Sequence, residues 1–239
     1  MPKENLTIHL PDGPAIELVY VQGGTFMMGS DDTKAHDREK PAHQVKLSDF
    51  YIGKYPVTQK QWQAVTGENP SEFQGEKRPV KNVSWDDAQG FLEKLNQLAG
   101  KKFRLPTEAE WEFAARGGIY SQGYKYAGSD RLKQVGWYIK NSNNKTQKVG
   151  LLLPNELALY DMSGNVWELC LTHVSKEYRE KIYKNHKAKY FHTSRFDSHP
   201  VLRGGSSFNS PAGCRPIKGR IISTGDLTGL IGFRLTLSA

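Results

Sequence analysis

The sequence predicts an α+β protein in which much of the chain is loop. Alternation of apolar and polar residues near the N-terminus predicts short strands, and three segments in the middle of the chain carry helix start and stop signals. Long stretches after the helices are rich in Gly, Ser, Asn and Lys and have no periodicity. We interpret residues 1–239 as a single domain, because no internal repeat or low-complexity linker divides the chain.

The N-terminal residues predict a hairpin and two further strands. Apolar residues occupy alternate positions in residues 6–10 and 16–20, and Asp12-Gly13 between these runs is a turn signal. Residues 23–30 then predict a strand that enters a glycine turn, and residues 44–51 predict one more strand. These strands supply the β part of the predicted class.

Three helices follow along the chain. The first begins at a capping box, Thr58 to Gln61, and ends at Gly67. Residues 84–87 open the second helix and residues 107–110 open the third, and glycines at positions 100 and 117–118 stop them. The predicted buried faces consist of Ala88, Phe91, Leu92, Leu95 and Leu98 in the second helix and Trp111, Ala114 and Ala115 in the third.

Composition and charge narrow the classes of function. No run of about 18 apolar residues occurs, so no membrane span is predicted. The chain as given starts without a signal peptide, which leaves its location open between the cytoplasm, a phage particle and export after removal of a leader. The net charge of +8 favours solubility and an acidic partner, but nucleic acid is not an expected ligand. Cys170 and Cys214 are either paired or two separate buried thiols.

Two polar segments lie outside the predicted helices and strands. Residues 119–150 form a loop, and a loop of this length inside a compact domain is usually functional or stabilised by a ligand. Residues 171–200 form a basic insert, with seven Lys or Arg and three acidic residues between positions 173 and 199. We interpret the insert either as a patch that binds phosphate or acidic groups, or as a solvated segment that contacts another protein.

Seven motifs between residues 18 and 237 reveal a family resemblance. In chain order they are YVQGGTFMMGS, GKYPVTQKQWQAVTG, PVKNVSWDDAQGFLEKLN, RLPTEAEWEFAARGG, PNELALYDMSGNVWEL, LRGGSS and GFRL. The chain resembles the formylglycine-generating enzyme (sulfatase-modifying factor) family, and residues 171–200 depart from the family pattern. The resemblance implies a C-type-lectin-like fold with low regular secondary structure, small antiparallel sheets, a few helices and long ordered loops.

One motif predicts a calcium site. Asp161 and Glu168 carry carboxylates, and Gly164 and Val166 offer backbone carbonyls between them. Calcium takes six to eight oxygen ligands, and the resemblance implies a structural calcium at this motif. The alternative is that the two carboxylates only hydrogen-bond the turn.

The resemblance also bears on catalysis. It implies that catalytic members use two cysteines, five residues apart and shortly after a GGS sequence, to hold copper. The matching positions here are Asn209 and Cys214. Cu(I) prefers soft thiolate ligands, so with one thiol missing we predict no copper and no catalysis. The alternative is an oxidase of the formylglycine-generating type with altered metal ligation.

The composition of the C-terminal tail, residues 203–235, suggests a different role. Residues 207–231 contain no Glu, Gln, Met or Trp and a single Lys, Lys218. Adenine-directed mutagenesis of AAC and AAT codons produces many residue types but none of these five. The tail therefore resembles the variable region of the variable proteins of diversity-generating retroelements, with Cys214 and Arg215 as constant framework. The alternative is a family member that lost catalysis and drifted.

We therefore predict a non-catalytic binding protein that recognises a protein or cell-surface ligand through its tail. For Ile221 and Ile222 the alternative is a buried strand, and for the whole protein a further alternative is an accessory protein with no diversified face. The predicted ligand-binding residues are Ser207, Phe208, Asn209, Ser210, Ala212, Gly213, Ile217, Ile221, Ile222, Ser223, Asp226, Leu227, Thr228 and Leu230.

Overall fold

The molecule combines short strands, short helices and long loops, as the predicted α+β class requires. The computed structural model describes residues 4–10, 13–33, 35–175, 198–222 and 229–239. The strands are β1 (Leu6–Ile8), β2 (Ile16–Val21), β3 (Gly24–Met28), β4 (His43–Leu47), β5 (Phe50–Gly53), β6 (Trp167–Ser175), β7 (Ser198–Arg203), β8 (Gly219–Ile221), β9 (Ile231–Gly232) and β10 (Thr236–Ser238). The α-helices are α1 (Gln59–Thr66), α2 (Trp85–Ala99), α3 (Glu108–Ala115) and α4 (Leu132–Val135).

The first sheet joins the N-terminal hairpin to the C-terminal strand. Its strand order is β1-β2-β5-β10, and every neighbouring pair is antiparallel. Leu6 pairs with Leu18, which confirms the predicted hairpin, and Thr236 pairs with Ile52. The chain that follows the tail therefore returns to a sheet built mainly from the N-terminal residues.

The prediction of one strand over residues 44–51 is wrong, because this segment forms two strands in different sheets. β4 pairs with β3 in a two-stranded sheet, whereas β5 lies in the first sheet. The chain turns between them at Asp49, whose carboxylate accepts hydrogen bonds from the Gly23 amide at 2.9 Å and the Tyr20 hydroxyl at 2.5 Å. Both donors lie far earlier in the sequence, so the local alternation does not reveal the turn.

The three longer helices form where their start signals predict them. Thr58, Ser84 and Thr107 are the N-caps, and each side chain accepts a hydrogen bond from the backbone amide three residues later. The predicted apolar faces are buried except at Leu98, which is 50% exposed. Leu98 lies in the last turn of α2, beyond Leu95, the last buried residue of that helix, so its predicted burial is wrong.

The third sheet carries the tail. Its order is β8-β7-β6-β9, so β6 has β7 antiparallel on one side and β9 parallel on the other. Ser175 at the end of β6 pairs with Ser198 at the start of β7. The two ends of the predicted insert 171–200 thus belong to paired strands, and its residues 176–197 lie outside the described residues.

Large aromatic side chains pack the helices against the sheets. Trp62 of α1 stacks on Phe91 of α2 with ring centroids 5.1 Å apart, and Phe233, just after β9, meets Phe91 edge-on at 5.4 Å. Trp111 of α3 is fully buried in a second cluster with residues of the first sheet. Within the described ranges, we find no helix with the length and apolar character that a membrane crossing needs.

Candidate functional site

The two ends of the tail meet at one residue of the third sheet. Glu168 of β6 is the register partner of Arg203 on β7 and of Gly232 on β9. The tail therefore leaves the sheet on one side of Glu168 and returns on its other side. Between these ends the tail is held again by β8, which pairs with β7.

Arg203 fixes the first end of the tail through buried ion pairs. Its guanidinium donates to Glu108 and Glu112 of α3, through Nε and Nη1 respectively, at 2.9 Å in each case. Nη1 also donates to the Pro216 carbonyl at 2.9 Å, which holds the chain just after Cys214. Although burial lowers the pKa of Arg203, the charges of Glu108 and Glu112 raise it more, so its pKa lies above the usual range and the group stays charged.

Arg234 fixes the second end in a fully buried ion pair with Glu168. Arg234 Nε donates to Glu168 Oε2 at 2.6 Å and Nη2 donates to Oε1 at 2.7 Å, a bidentate geometry. Trp111 Nε1 donates to the same Oε2 at 2.6 Å. Arg234 also donates to the carbonyls of Gly53 at 2.8 Å and Tyr160 at 3.0 Å. One ion pair thus ties the tail to β6, α3 and the first sheet.

These contacts do not fit the calcium cage predicted from Asp161, Gly164, Val166 and Glu168. All four residues are buried, and both oxygens of Glu168 already accept hydrogen bonds from a cation. A calcium ion at Glu168 would meet the like charge of Arg234. No group of three or more His, Cys, Asp or Glu side chains in the described ranges could hold a metal ion. Calcium therefore stays a prediction of the family resemblance, and the observed contacts favour the alternative that the carboxylates brace the turn.

Asp161 joins that turn to the preceding loop. Its backbone is left-handed, with φ 59°, and its carboxylate accepts from the Gly150 amide at 2.9 Å and from Asn165 Nδ2 at 3.2 Å. Burial raises the pKa of Asp161 to about 6, although both of these donors favour the charged form. The turn before β6 therefore contains a carboxyl group that titrates close to neutral pH.

The first half of the tail presents side chains on and around a 3₁₀ turn, Pro211–Cys214. Phe208 is 42% exposed, and Ser210 and Ala212 are also exposed. Five more of the predicted ligand-binding residues are half-buried, namely Asn209, Gly213, Ile217, Ile221 and Leu230. These residues remain available to a ligand in full or in part.

Two of the predicted ligand-binding residues are not displayed. Ser207 and Ile222 are buried, so the prediction that their side chains face a ligand is wrong. Ile222 follows β8 directly and packs in the main core cluster, as the strand alternative predicts for it. Four further predicted residues, Ser223, Asp226, Leu227 and Thr228, lie outside the described residues.

Asn209 and Cys214 meet at Ser206. Asn209 Oδ1 accepts from the Ser206 amide at 2.9 Å and from its hydroxyl at 2.7 Å, and Cys214 Sγ donates to the Ser206 carbonyl at 3.9 Å. Burial raises the pKa of Cys214 to about 12, so this thiol is neutral at physiological pH. Cys170 is a second free, buried thiol in a different cluster of the core, around Trp111. The two cysteines are therefore separate thiols.

Comparison with known proteins assigns the chain to a family. The Sulfatase-modifying factor enzyme 1-like domain matches residues 9–239. The chain belongs to this family. Chaperone protein LppX of Paenibacillus barcinonensis is 39% identical over 207 residues, covering 64% of this chain and 70% of that protein. The formylglycine-generating enzyme of Thermomonospora curvata is 28% identical over 228 residues, covering 67% of this chain and 72% of the enzyme.

A solved structure confirms the fold of this sulfatase-modifying factor domain. Treponema denticola variable protein 1 matches with a TM-score of 0.84 and 29% sequence identity, and the match covers 100% of both chains. The predicted C-type-lectin-like fold, with small sheets, few helices and long ordered loops, is thereby confirmed. The resemblance of the chain to variable proteins is confirmed by the same match.

The sulfatase-modifying factor family resemblance implies a cysteine pair at positions 209 and 214. The structure brings these two positions together at Ser206, but it supplies one thiol, Cys214, and one amide, Asn209. An amide oxygen is a hard ligand that Cu(I) does not favour, and a single neutral thiol cannot provide two thiolates. The residues present do not fit the copper site of the catalytic members.

Glu39, which the sequence does not single out, holds the framework part of the tail. Its buried carboxylate accepts from Arg215 Nη2 at 2.9 and 3.1 Å, and Lys218 Nζ lies 3.8 Å from the same group. The resemblance to variable proteins implies that Arg215 is constant framework, and the composition of the tail places Lys218 outside the mutable set. Arg215 and Lys218 therefore have a structural role, because they bind the buried carboxylate of Glu39.

The loop predicted over residues 119–150 packs against the tail and adds an exposed residue that the sequence does not single out. The Ile139 amide donates to the Asn209 carbonyl at 3.2 Å, and the Ser142 hydroxyl donates to the Ser207 carbonyl at 2.7 Å. Ile139 is 48% exposed. The only sequence signal for it is an isolated isoleucine in a long polar loop.

Proposed function

We propose that this protein is a non-catalytic binding protein whose C-terminal tail recognises a protein or cell-surface target. The observation that carries the proposal is the exposed Phe208 on a segment whose two ends are fixed by the buried ion pairs of Arg203 and Arg234. Exposed aromatic side chains on rigid support are typical anchors of protein interfaces. The similarity to Treponema denticola variable protein 1 supports the same function.

A random-peptide library displayed on phage tests binding by this surface. We expect peptides enriched on the immobilised protein to lose affinity when Phe208 is replaced by alanine. The matched control is Leu98→Ala, which removes a similarly exposed apolar side chain from α2. Peptides that bind both variants with the same affinity as the unchanged protein would contradict the proposal, and so would a failure to enrich any peptide.

Diversification of the tail is a separate part of the proposal. The residues of mutable type at positions 208, 210 and 212 are exposed, whereas Cys214 is buried and Arg215 is paired with Glu39. We expect a near-identical copy of the coding region for residues 203–235 close to the gene, with adenines at the differing positions and a reverse transcriptase gene beside it. A gene neighbourhood without such a copy refutes diversification and leaves the drifted binding protein or the accessory protein.

The alternative function is an oxidase of the formylglycine-generating type. Retention of Cys214 and the similarity to the Thermomonospora curvata enzyme favour it. Incubation with copper and a Cys-x-Pro-x-Arg peptide should yield no aldehyde, because Asn209 cannot act as a second thiolate. Aldehyde formation that disappears in Cys214→Ala would overturn the proposed binding function.

A further inference from the structure

We infer that the binding surface extends from the tail onto the basic loop, residues 124–148, and that it fits a protein partner with an acidic surface around an apolar side chain. This inference rests on the proposed binding function and adds the chemistry of the partner. It follows from three observations: an exposed apolar pair, the packing of the basic loop against the tail, and the distribution of charge.

Phe208 and Ile139 form the apolar centre of this surface. Each side chain exposes more than two fifths of its area, and the Ile139 amide donates to the carbonyl of Asn209, the residue next to Phe208. One of the two side chains comes from the tail and the other from the basic loop. Two large apolar side chains that share a short stretch of surface bury area on binding that a single exposed residue does not.

A small core cluster fixes the basic loop beside the tail. Tyr126, Leu132 and Val135 of the loop pack with Cys214 of the 3₁₀ turn. Leu132 and Val135 belong to α4, so this short helix is seated on the turn that follows Phe208. The charged residues that alternate with these buried side chains are therefore held next to the tail rather than on a distant part of the surface.

The charge of the basic loop is strongly one-sided. The loop has a single acidic residue, Asp130, so its net charge is +5. None of its cations forms an ion pair with a carboxylate of the described residues. The six cations, all of them exposed, are Lys125, Arg131, Lys133, Lys140, Lys145 and Lys148.

The basic loop carries a net charge of +5 beside the tail, against +8 for the whole chain. The chain as a whole carries +8, and the insert between positions 173 and 199 carries seven basic against three acidic residues, or +4. The basic loop and the insert together exceed the net charge of the chain, so the remaining residues are slightly acidic in sum. Basic groups around an apolar centre complement a partner with carboxylates around an apolar contact.

An acidic protein fits this surface better than a nucleic acid does. The centre contains Ile139, an aliphatic side chain on which bases do not stack, and single-strand binding relies on aromatic platforms. An apolar centre with a charged rim is the usual anatomy of a protein–protein interface. A nucleic-acid ligand is kept as an outcome of the test.

The test uses charge reversal on the folded full-length chain. The variant Lys133→Glu/Lys140→Glu reverses two cations of the basic loop, and the matched control Lys94→Glu/Lys101→Glu makes the same charge change at two exposed lysines on and after α2. Synthetic peptides from the phage selection, and a single-stranded DNA oligonucleotide, serve as probes. We expect enriched peptides to contain acidic residues around an apolar residue and to lose about tenfold in affinity on the loop variant but not on the control. The loss should shrink at high salt.

The outcomes separate the inference from the function on which it rests. Peptides without acidic bias that depend on Phe208 but not on the two lysines overturn the inference and leave the binding function in place. Peptides that depend on neither overturn both, as does a selection that enriches nothing. DNA binding that is tighter than peptide binding and is lost with the same two lysines overturns the choice of a protein partner.

Discussion

Replacement of Glu168 by leucine should destabilise the protein strongly. The substitution leaves the guanidinium of Arg234 fully buried with only the carbonyls of Gly53 and Tyr160 as acceptors. Breaking a buried ion pair on one side costs about 3–5 kcal/mol, and a domain is stable by about 5–15 kcal/mol in total. For a chain of this size each kcal/mol lowers Tm by about 2–4 °C, so we expect a fall of roughly 6–20 °C. Thermal and urea unfolding followed by circular dichroism measure this change.

Two further variants show whether the cost belongs to the buried pair. Glu168→Leu/Arg234→Met removes both charges, and we expect part of the lost stability to return because no unpaired charge stays buried, while the Trp111 indole and the carbonyls of Gly53 and Tyr160 still lose their partners. Glu76→Leu removes one partner of the exposed Lys60–Glu76 pair and should cost less than about 1 kcal/mol. If Glu168→Leu costs no more than Glu76→Leu, or if the double variant is as unstable as the single one, the reasoning is refuted.

Three other measurements test features of the same region. The pKa of Asp161 in the folded protein, about 6, lies above the ordinary value, so the ionised side chain lowers the stability of the protein and this cost disappears as pH falls through 6. As pH rises from about 4 to about 7, the free energy of unfolding of Asp161→Asn should therefore increase by about 3 kcal/mol relative to that of the unchanged protein. Parallel curves of unfolding free energy against pH would contradict this. Addition of EDTA should shift Tm by less than about 1 °C, because Arg234 already binds both carboxylate oxygens of Glu168. A fall in Tm of several degrees that is reversed by added calcium would establish the metal site. Glu39→Gln removes the charge that faces Arg215 and should lower the free energy of unfolding by about 1–3 kcal/mol, with faster amide hydrogen exchange in residues 206–218. The control Glu76→Gln should leave exchange in these residues unchanged. Unchanged exchange in Glu39→Gln would refute the framework role of Glu39.

The sequence predicts those parts of the fold that depend on neighbouring residues. Thr58, Ser84 and Thr107 start helices because each cap contacts an amide three residues away. The turn at Asp49 depends on donors 26 and 29 positions earlier, so the alternation around it predicts one continuous strand. Local patterns are therefore sufficient for the helices and insufficient for the path between sheets.

The candidate functional site, like the fold, is predicted from the sequence only in part. The family resemblance implies that positions 209 and 214 lie close together, and both residues contact Ser206. Glu168 has the residue type of a calcium ligand, but its partner Arg234 lies 66 positions later and only the folded chain brings the two together. The place of Ile139 in the proposed binding surface likewise depends on its backbone hydrogen bond to Asn209, which no property of residue 139 alone predicts.

The arrangement of the tail, residues 203–235, around β6 makes the tail an exchangeable cassette. Both junctions of the cassette lie opposite Glu168, and each is locked by its own buried arginine, Arg203 or Arg234. A donor segment therefore has to match the two junctions and the framework contacts between them, namely Cys214 in its core cluster, Arg215 on Glu39 and β8 on β7. Doubling the length of the exposed parts adds only about 0.6 kcal/mol of closure entropy. Grafting tails of different length onto this scaffold is thus limited by the chemistry at the junctions and framework contacts, and hardly by the length of the exposed parts of the graft.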